Sequence, residues 1–447
     1  MDFETNSVVS FVKKPLFLLV LFGLLIRFVL IPLTYEFDIY HWAMTISNIN
    51  SGHNLYDLDG YYYTPIWGYL LGFISSISEF FTNGLLGMRL TEFLPIEDLL
   101  YPNHIATITT IAFSFVMKIP IIVCDLVVGY LVYWLIRDRT GDTKKATIGF
   151  GLWFFCPIVI YMSGIQAQFD SFSALFTMLS IILLYKDKYF LGGAMLSLAV
   201  LLKFFPGFCI LVVFAYILVK HKDDGLGKRK LLEMMLGISV MSIIILLPII
   251  LNGQLDSMLS FITGRTGGSL ISLTIINTII AIIMAFFFAY KMLHTPKEDA
   301  DRKMFIYVLF ALVGATLMSA VPQYIIVMIP FLILHIMSEE RCYIRCWVIL
   351  SVVALISAFS FNNLSLLCSL AAYTGLASPE WIMSSMQFLD TGMGFNLILL
   401  FYTLSLIQYV ATLLILIFYF ADAINKKNPT IGKFILRLKY GRHYNEA

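Results

Sequence analysis

The chain has 447 residues, of which 60% are hydrophobic and only 13% are charged, and its mean hydropathy is +0.86. Because soluble domains carry about 25% charged residues, this composition excludes an ordinary soluble protein and predicts an integral membrane protein. The net charge of +2 is too small to argue for nucleic-acid binding, and the six cysteines show neither metal-type spacing nor a disulfide framework.

Apolar runs recur along the whole chain. Since a membrane span needs about 20 apolar residues, we predict an all-α polytopic protein with about 12 transmembrane helices in a single domain. The first run is interpreted as a retained span and not as a cleaved signal peptide. The predicted spans are 16–34, 107–136, 146–163, 169–185, 189–203, 204–220, 231–251, 271–292, 304–320, 322–337, 346–361 and 393–420.

The distribution of Lys and Arg orients these spans. The turn 137–145 is strongly basic, so we predict that it is cytoplasmic. Both termini are then cytoplasmic, and the basic tail 422–447 lies near anionic lipid as an orientation anchor. The segment 35–106 becomes an extracytoplasmic loop that carries the catalytic site. Within it, the apolar stretch 63–80 is predicted to lie along the outer interface as a helix and not to span, because a crossing there would put the basic turn 137–145 outside. Its Tyr and Trp residues suit the aromatic belt.

Nearly all basic residues obey this arrangement. Of the 30 Lys and Arg residues, all but five fall on the cytoplasmic side. A basic residue that escapes the positive-inside pattern needs another explanation, such as an ion pair or an anionic ligand. The five exceptions are Arg27, Arg89, Lys118, Lys203 and Arg265.

The segment 35–65 follows the first span and is polar, acidic and rich in Tyr. It opens with two carboxylates, Glu36 and Asp38, and has turn residues at Gly52 and Gly60. A general base must be held near a reacting hydroxyl and needs a tunable pKa, which a carboxylate at the membrane edge has. A solvated loop pair is the alternative. The same two carboxylates are also compatible with a divalent cation, and the sequence leaves metal dependence open.

Two charged residues lie in the second predicted span. Lys118 and Asp125 are seven residues apart, or about two helical turns, so they face the same way. Lys118 is expected near the outer edge, where an anion is its favoured partner. Asp125 lies about 10 Å deeper, and a structural polar contact is favoured for it.

Polar groups also mark three further outer turns. Gln166, Gln168 and Asp170 offer donors and acceptors suited to sugar hydroxyls, and Asp170 is equally placed to cap the following helix. Lys203 begins the next outer junction, where snorkelling to the interface is the alternative to a binding role. Arg265 stands among glycines whose backbone N–H groups suit an anion.

One further pair, Gln323 and Tyr324, occupies the outer turn between the ninth and tenth spans. The orientation was derived from charge alone, yet it brings a carboxylate, basic groups and amides to one membrane face. Such a set suits a lipid-bound, anionic substrate. The residues are Asp38, Lys118, Gln168, Asp170, Lys203, Arg265 and Gln323.

At these residues the chain resembles the glycosyltransferase C superfamily, and within it the catalytic subunit of GPI mannosyltransferase I and related prokaryotic polytopic mannosyltransferases. The resemblance covers about residues 16–340. Two departures stand out: Glu36 replaces the usual Asp, and Gln166-Ala167 replaces the usual Trp-Gly. The matching elements are Glu36-x-Asp38, Gly52, Tyr56, Tyr61-x-Tyr63-Thr64-Pro65, Lys118, Cys124-Asp125, Lys203-x-x-Pro206 and Gln323-Tyr324.

The resemblance implies a polyprenyl-phosphate sugar donor, such as dolichyl-phosphate mannose, used at the extracytoplasmic face with a glycolipid or glycan acceptor. We assign Asp38, assisted by Glu36, as the general base in a direct displacement. The leaving phosphate is assigned to Lys118, Lys203 and Arg265. Sugar or acceptor contacts are assigned to Tyr63, Gln168, Asp170, Gln323 and Tyr324.

Two other classes compete with an enzyme. A lipid or glycolipid flippase would show similar halves and charged helices near the midplane. The sequence has no internal repeat, and its unusual charges gather at one face. A non-catalytic scaffold subunit of a glycosylation complex is the third reading, which sugar transfer by the single chain would exclude.

The predicted orientation is testable by labelling single cysteines with a membrane-impermeant reagent in intact cells. Gly84→Cys is expected to react from outside, and Thr143→Cys is expected to react only after permeabilisation, because the basic turn is inside. The unmodified chain gives the background from native cysteines. The reverse pattern would overturn the orientation and, with it, the proposed site.

Overall fold

We describe the fold from a computed structural model. It describes residues 15–32, 37–57, 61, 63–82, 94–97, 105–108, 111–264, 271–318, 321–361, 381, 384–385, 388, 392–393 and 397–441. The helices are α1 (Pro15–Leu30), α2 (Phe37–Asn50), α3 (Pro65–Thr82), α4 (Ile111–Thr140), α5 (Thr143–Phe154), α6 (Pro157–Gly164), α7 (Asp170–Tyr185), α8 (Tyr189–Leu202), α9 (Ile210–Lys220), α10 (Gly227–Leu251), α11 (Leu255–Gly264), α12 (Ile271–Leu293), α13 (Ala300–Thr316), α14 (Ile329–Ser338), α15 (Ile344–Phe361), α16 (Leu397–Lys427) and α17 (Pro429–Tyr440). Short 3₁₀ turns occupy Phe205–Cys209, Lys297–Asp299, Pro322–Val327 and Arg341–Tyr343.

The prediction of a helical protein is confirmed, with one addition. Two short strands, β1 (Leu94–Glu97) and β2 (Ile105–Ile108), pair antiparallel with Leu94 opposite Ile108. They form the one sheet found in the described part of the chain. Because β2 takes residues up to 108, the following helix begins at Ile111, a few residues after the predicted start of that span.

Long apolar helices show that membrane spans are present, but the predicted count of about 12 is not confirmed. Within the described ranges, five helices are long and apolar enough to cross a membrane, or six if α5 and α6, bent by 50°, form one broken span. Helices such as α7 and α8 are apolar but have only 16 and 14 residues. At about 1.5 Å per residue they are shorter than the ~30 Å hydrocarbon core. The five long segments are Phe113–Thr140, Gly227–Leu251, Ile275–Leu293, Arg341–Ala358 and Tyr402–Lys427.

The buried apolar residues form two clusters. The larger one runs through the helical bundle around Trp153, Tyr216 and Phe310. The smaller one joins α2, α3 and the start of α4 to the turn before α7, and its members include Trp42, Trp67 and Phe169. This second cluster carries the candidate site, because it draws the segment after α1 against the ends of membrane helices.

Ion pairs gather at one end of the bundle. Every turn involved was predicted to be cytoplasmic from its charge, and the structure brings these turns together. α7 and α8 run away from this end, so Asp170 and Lys203 lie a helix length of about 20–25 Å from it. The pairs are Glu339 with Arg139 and Arg302, Lys186 with Asp138, Lys220 with Asp187 and Asp301, and Lys297 with Asp223.

A fully buried ion pair lies in the larger cluster. The guanidinium of Arg27 is 2.9 Å from the carboxylate of Asp125, and neither side chain is exposed. Ser171 donates a 2.6 Å hydrogen bond to the other Asp125 oxygen. The Arg27 Nη1 donates to the Phe154 carbonyl at 2.8 Å. The structural polar contact favoured for Asp125 is therefore confirmed, and it explains why Arg27 departs from the positive-inside pattern.

Breaking this pair from one side is expected to destabilise the protein strongly. Arg27→Met or Asp125→Leu alone leaves a buried charge without its partner, at a cost of about 3–5 kcal/mol. The double variant removes both charges and is expected to return close to the wild-type midpoint. Thermal unfolding in detergent measures the effect.

The matched control is Asp138→Asn. It removes one side of the pair with Lys186, in which both side chains are partly exposed, so a change of about 0–1 kcal/mol is expected. Equal midpoints for the Arg27 and Asp138 variants would contradict the structural role of the buried pair.

Candidate active site

The segment that leads into α3 is held by tyrosine hydroxyls. Tyr56 donates a 2.7 Å hydrogen bond to the Tyr63 carbonyl. Tyr61 donates to the Thr64 carbonyl at 2.7 Å and accepts a 2.6 Å bond from the Gly68 N–H. That N–H lies in the first turn of α3, where backbone donors have no partner within the helix. Burial raises the pKa of the Tyr61 phenol well above its ordinary value, so it remains a donor.

This segment is also tied to the end of α8. The Thr64 hydroxyl donates a hydrogen bond to the Leu201 carbonyl, in the last turn before Lys203. Further along, the Asp57 carboxylate accepts a 2.6 Å bond from the Gln254 amide, at the start of α11. The segment after α1 is thus fixed at two points to turns that lie far away in sequence.

Aromatic rings fill the space between these elements. Tyr63 lies 5.4 Å from Trp42 and 5.0 Å from Phe169, measured between ring centroids. Trp67 stacks on Phe169 at 4.5 Å. We call Trp42, Tyr63, Trp67 and Phe169 the aromatic cluster. Aromatic pairs at these separations contribute about 0.5–1.5 kcal/mol each beyond their buried area, so the cluster fixes α2 and α3 against the turn before α7.

Lys203 lies against the aromatic cluster. Its ammonium is 4.5 Å from the ring centre of Phe169, 5.2 Å from Tyr63 and 5.3 Å from Tyr324, and the side chain is only 7% exposed. The Asp170 carboxylate lies 3.6 Å away. At that distance the contact is an ion pair and not a hydrogen bond. Within the described residues the ammonium donates no hydrogen bond, although it has three donors. Of the residues predicted to gather at one membrane face, Lys203 and Asp170 lie together in the structure, beside Tyr63 and Tyr324 from the assigned sugar contacts.

The turn that carries Gln168 and Asp170 has an unusual backbone. Ala167 has φ +54°, in the left-handed region that costs a residue with a Cβ about 1–2 kcal/mol. Gln168 is buried, and its N–H donates to the Met162 carbonyl at 2.9 Å. Phe169 occupies the N-cap of α7, with no side-chain capping bond, and Asp170 is the first helical residue. Asp170 is thus not the N-cap, although its charge still favours the helix N-terminus.

Tyr324 and Gln323 lie in the 3₁₀ turn Pro322–Val327. The Tyr324 ring packs against Phe205 in a tilted arrangement, with 4.5 Å between the ring centroids, and lies beside Lys203. Gln323 is half-buried in the same turn. Within the described chain, no hydrogen bond joins its amide to Lys203 or Asp170, so its predicted contact with sugar stays a prediction.

Lys118 is fully buried, at a different point of the same region. Its ammonium donates a 2.7 Å hydrogen bond to the Ile31 carbonyl, just beyond the end of α1. A cation at a helix C-terminus is favoured by the helix dipole. Its neighbours Met117 and Ile121 belong to the smaller apolar cluster with Phe169. Lys118 thus lies where the chain leaves α1 toward Glu36 and Asp38, and a phosphate contact stays a prediction.

Three predicted residues fall partly or wholly outside the described structure. Glu36 and Arg265 lie outside it, and for Asp38 it describes the backbone only. Asp38 is the second residue of α2, four positions before Trp42, so the two positions share one helix face. Among the described side chains, no group of three or more His, Cys, Asp or Glu residues is arranged to hold a metal ion.

Sequence reasoning missed the residues that join the site. Trp42 and Phe169 were not singled out, although Trp42 stands one helical turn after Asp38 and Phe169 adjoins Asp170. Those spacings were available as a signal. The Asp57–Gln254 bond had no such signal, because nothing in the sequence relates residues so far apart.

The Tyr61 hydroxyl offers a test of this arrangement. Tyr61→Phe is expected to leave the Thr64 carbonyl and the Gly68 N–H without that partner, which costs about 1–3 kcal/mol locally. Faster backbone hydrogen exchange in residues 64–77 is the expected result. Tyr69→Phe is the control, since Tyr69 lies on α3 but is 37% exposed. Equal exchange in the two variants would contradict the role given to Tyr61.

Comparison with known families gives one match. The model of the ALG6, ALG8 glycosyltransferase family matches residues 33–263, more than half of the chain. The matched range contains α2, the aromatic cluster, Lys203 and Asp170, and the finding agrees with the resemblance to the glycosyltransferase C superfamily. No curated protein matches the chain.

Proposed function

We propose that this chain, which belongs to the ALG6, ALG8 glycosyltransferase family, transfers a hexose from a polyprenyl-phosphate donor to a lipid-linked glycan at the extracytoplasmic face of a membrane. The family and the long apolar helices establish a membrane glycosyltransferase. Mannose is the hexose expected from the sequence. The donor, the sugar, the acceptor and the orientation are parts of the proposal.

One observation carries the proposal for the donor. The Lys203 ammonium is buried, 3.6 Å from the Asp170 carboxylate and within 5.3 Å of the centres of three aromatic rings. Its side chain is nearly excluded from solvent, so an anion that enters would meet a charge in a region of low dielectric. A phosphate group suits this ammonium, because phosphate oxygens accept strong hydrogen bonds from the three N–H groups and aromatic rings do not. The rings also provide the stacking surface that a sugar ring needs.

The proposed reaction is a direct displacement. Asp38 takes the proton from an acceptor hydroxyl, whose oxygen forms a bond to the anomeric carbon of the donor sugar. The bond between that carbon and the phosphate oxygen breaks, and polyprenyl phosphate leaves with the electron pair. Lys203 and Lys118 offset the charge that gathers on the phosphate, and Arg265 is assigned the same task. A phosphodiester is a good leaving group, so no general acid is required.

The geometry of α2 supports the assignment of the base. Asp38 precedes Trp42 by one helical turn, and the Trp42 ring lies 5.4 Å from Tyr63, which faces Lys203. Two contacts thus relate the α2 position of Asp38 to the proposed phosphate site. A base and a leaving-group site must lie on opposite sides of the same anomeric carbon, within the length of one sugar.

The direct test is transfer by the purified chain in lipid. Polyprenyl-phosphate mannose and polyprenyl-phosphate glucose are offered separately with a pool of lipid-linked oligosaccharides, and products are identified by mass spectrometry. Transfer of mannose supports the full proposal, and transfer of glucose alone would correct the sugar. Movement of lipid-linked sugar across the bilayer with no new glycosidic bond would favour the flippase class.

Lys203 gives a sharper prediction within the same assay. Lys203→Met is expected to lower kcat/KM for the donor by at least about 10²-fold, since it removes a charge from the leaving phosphate. Because that variant also breaks the ion pair with Asp170, the double variant with Asp170→Asn tests the same loss with that carboxylate neutralised. Lys186→Met, at the opposite end of the bundle, is the control. Wild-type kinetics in a folded double variant would place the phosphate elsewhere.

Asp38→Asn tests the base. Asn keeps the size and one acceptor oxygen of the side chain but cannot take a proton at neutral pH. Transfer is expected to fall by about 10²–10⁴-fold, with donor binding nearly unchanged. Glu36→Gln is expected to cost less if Glu36 only tunes Asp38. Equal loss in both variants, together with inhibition by a chelator, would indicate a shared metal ion. Full activity in Asp38→Asn would end this assignment.

A further inference from the structure

The helix α17, near the end of the chain, presents an apolar stripe to its surroundings. Ile431, Phe434 and Leu438 are 51%, 63% and 46% exposed. At about 100° per residue these three positions fall within roughly 60° of one another, so they form one stripe. We call them the α17 stripe. Exposed apolar side chains grouped in this way mark a surface that contacts lipid or another molecule.

A different face of α17 holds the helix against the bundle. Ile435 and Leu436 are buried in the larger cluster. Gly432 faces Asn425 of α16 so closely that a Cβ would meet its Cα. The Lys439 ammonium pairs with Glu340 at 2.7 Å and is itself buried. The centre of this docking face lies more than a quarter-turn around the helix from the centre of the α17 stripe, so the docking face leaves the stripe exposed.

Both ends of α17 are defined. The Asn428 side chain accepts a hydrogen bond from the Ile431 N–H at 3.2 Å, and Pro429 occupies the first turn. At the other end, Arg345 donates to the Leu438 carbonyl at 3.2 Å. The orientation of the stripe is thus set by α16 and by the start of α15, and not by a free tail.

Charge identifies what the stripe would meet. No acidic residue occurs between Asp422 and Glu446. On α17 the exposed Lys433 and Arg437 lie one turn apart, on the face between Phe434 of the stripe and Leu436 of the docking face. The helix follows directly on α16, whose segment Tyr402–Lys427 is long and apolar enough to span a membrane. A helix at the end of a span, with an apolar stripe beside basic residues, matches the physics of an interfacial helix at an anionic surface.

We propose that α17 lies in the membrane interface, with Ile431, Phe434 and Leu438 among the acyl chains and with Lys433 and Arg437 on anionic phospholipid headgroups. The Lys439–Glu340 pair links this helix to Arg341 and Glu339, at the ion-paired end of the bundle. Anionic lipid thereby contacts an element that is packed on α15 and α16. This inference is independent of the proposed reaction.

The experiment uses the full chain in nanodiscs of zwitterionic lipid, with and without an anionic phospholipid. Phe434→Cys and, as matched control on the neighbouring face, Lys433→Cys are labelled with an environment-sensitive dye, and the unmodified chain gives the background of native cysteines. The label at 434 is expected to emit at shorter wavelength and to be quenched by lipids that carry a spin label on the acyl chain, below the headgroups. The label at 433 is expected to be quenched much less.

Anionic lipid is expected to increase the quenching at 434, and Lys433→Gln with Arg437→Gln is expected to remove that increase. Ile431→Cys repeats the measurement with Phe434 intact, so the result does not depend on losing one stripe residue. Equal, water-like emission at 433 and 434 would overturn the proposal. Shielding at 434 that depends on the number of chains per disc, and not on lipid, would overturn it in favour of a second copy.

Discussion

A buried charge must have a partner, and this constraint organises the apolar part of the molecule. Three of the five basic residues that escape the positive-inside pattern are described, and each has its charge met differently. Arg27 pairs with Asp125, Lys118 binds the Ile31 carbonyl, and Lys203 faces Asp170 and aromatic rings. These partners come from elements that are distant in sequence, so satisfying the charges also decides which helices meet.

Arg27 and Lys203 differ in how closely their charges are paired with groups of the protein. Arg27 has a carboxylate at 2.9 Å, a backbone carbonyl and the ring of Phe154, so its charge is met by groups of the protein itself. Among the described residues, Lys203 has the Asp170 carboxylate at 3.6 Å and aromatic rings, which attract its charge but are poor acceptors for its three N–H groups. The first arrangement stabilises the bundle. The second leaves the ammonium able to form hydrogen bonds to an anion, at the place where a lipid phosphate is proposed to bind.

The sequence predicted the helices well because apolar runs and basic turns report local physics. It placed the basic turns at one end of the bundle and the pairing of Asp125 in the interior, and the structure agrees. It could not give the number of spans. An apolar run of 14 to 16 residues, such as α8 or α7, has the same composition whether lipid or protein surrounds the helix. It also missed the contacts of Trp42 and Phe169, because they link residues over a hundred positions apart through packing alone.

The position of the proposed base is therefore a property of the whole membrane domain and not of its own loop. Thr64 binds the Leu201 carbonyl, Asp57 binds Gln254, and the aromatic cluster packs α2 and α3 on the turn before α7. That turn keeps Ala167 in a left-handed conformation, a cost that persists only where surrounding contacts determine the backbone. The same turn presents Asp170 to Lys203. Because Asp170 lies on α7 and Lys203 at the end of α8, a shift of one helix relative to the other would disturb the ion pair, the aromatic cluster and the loop at once.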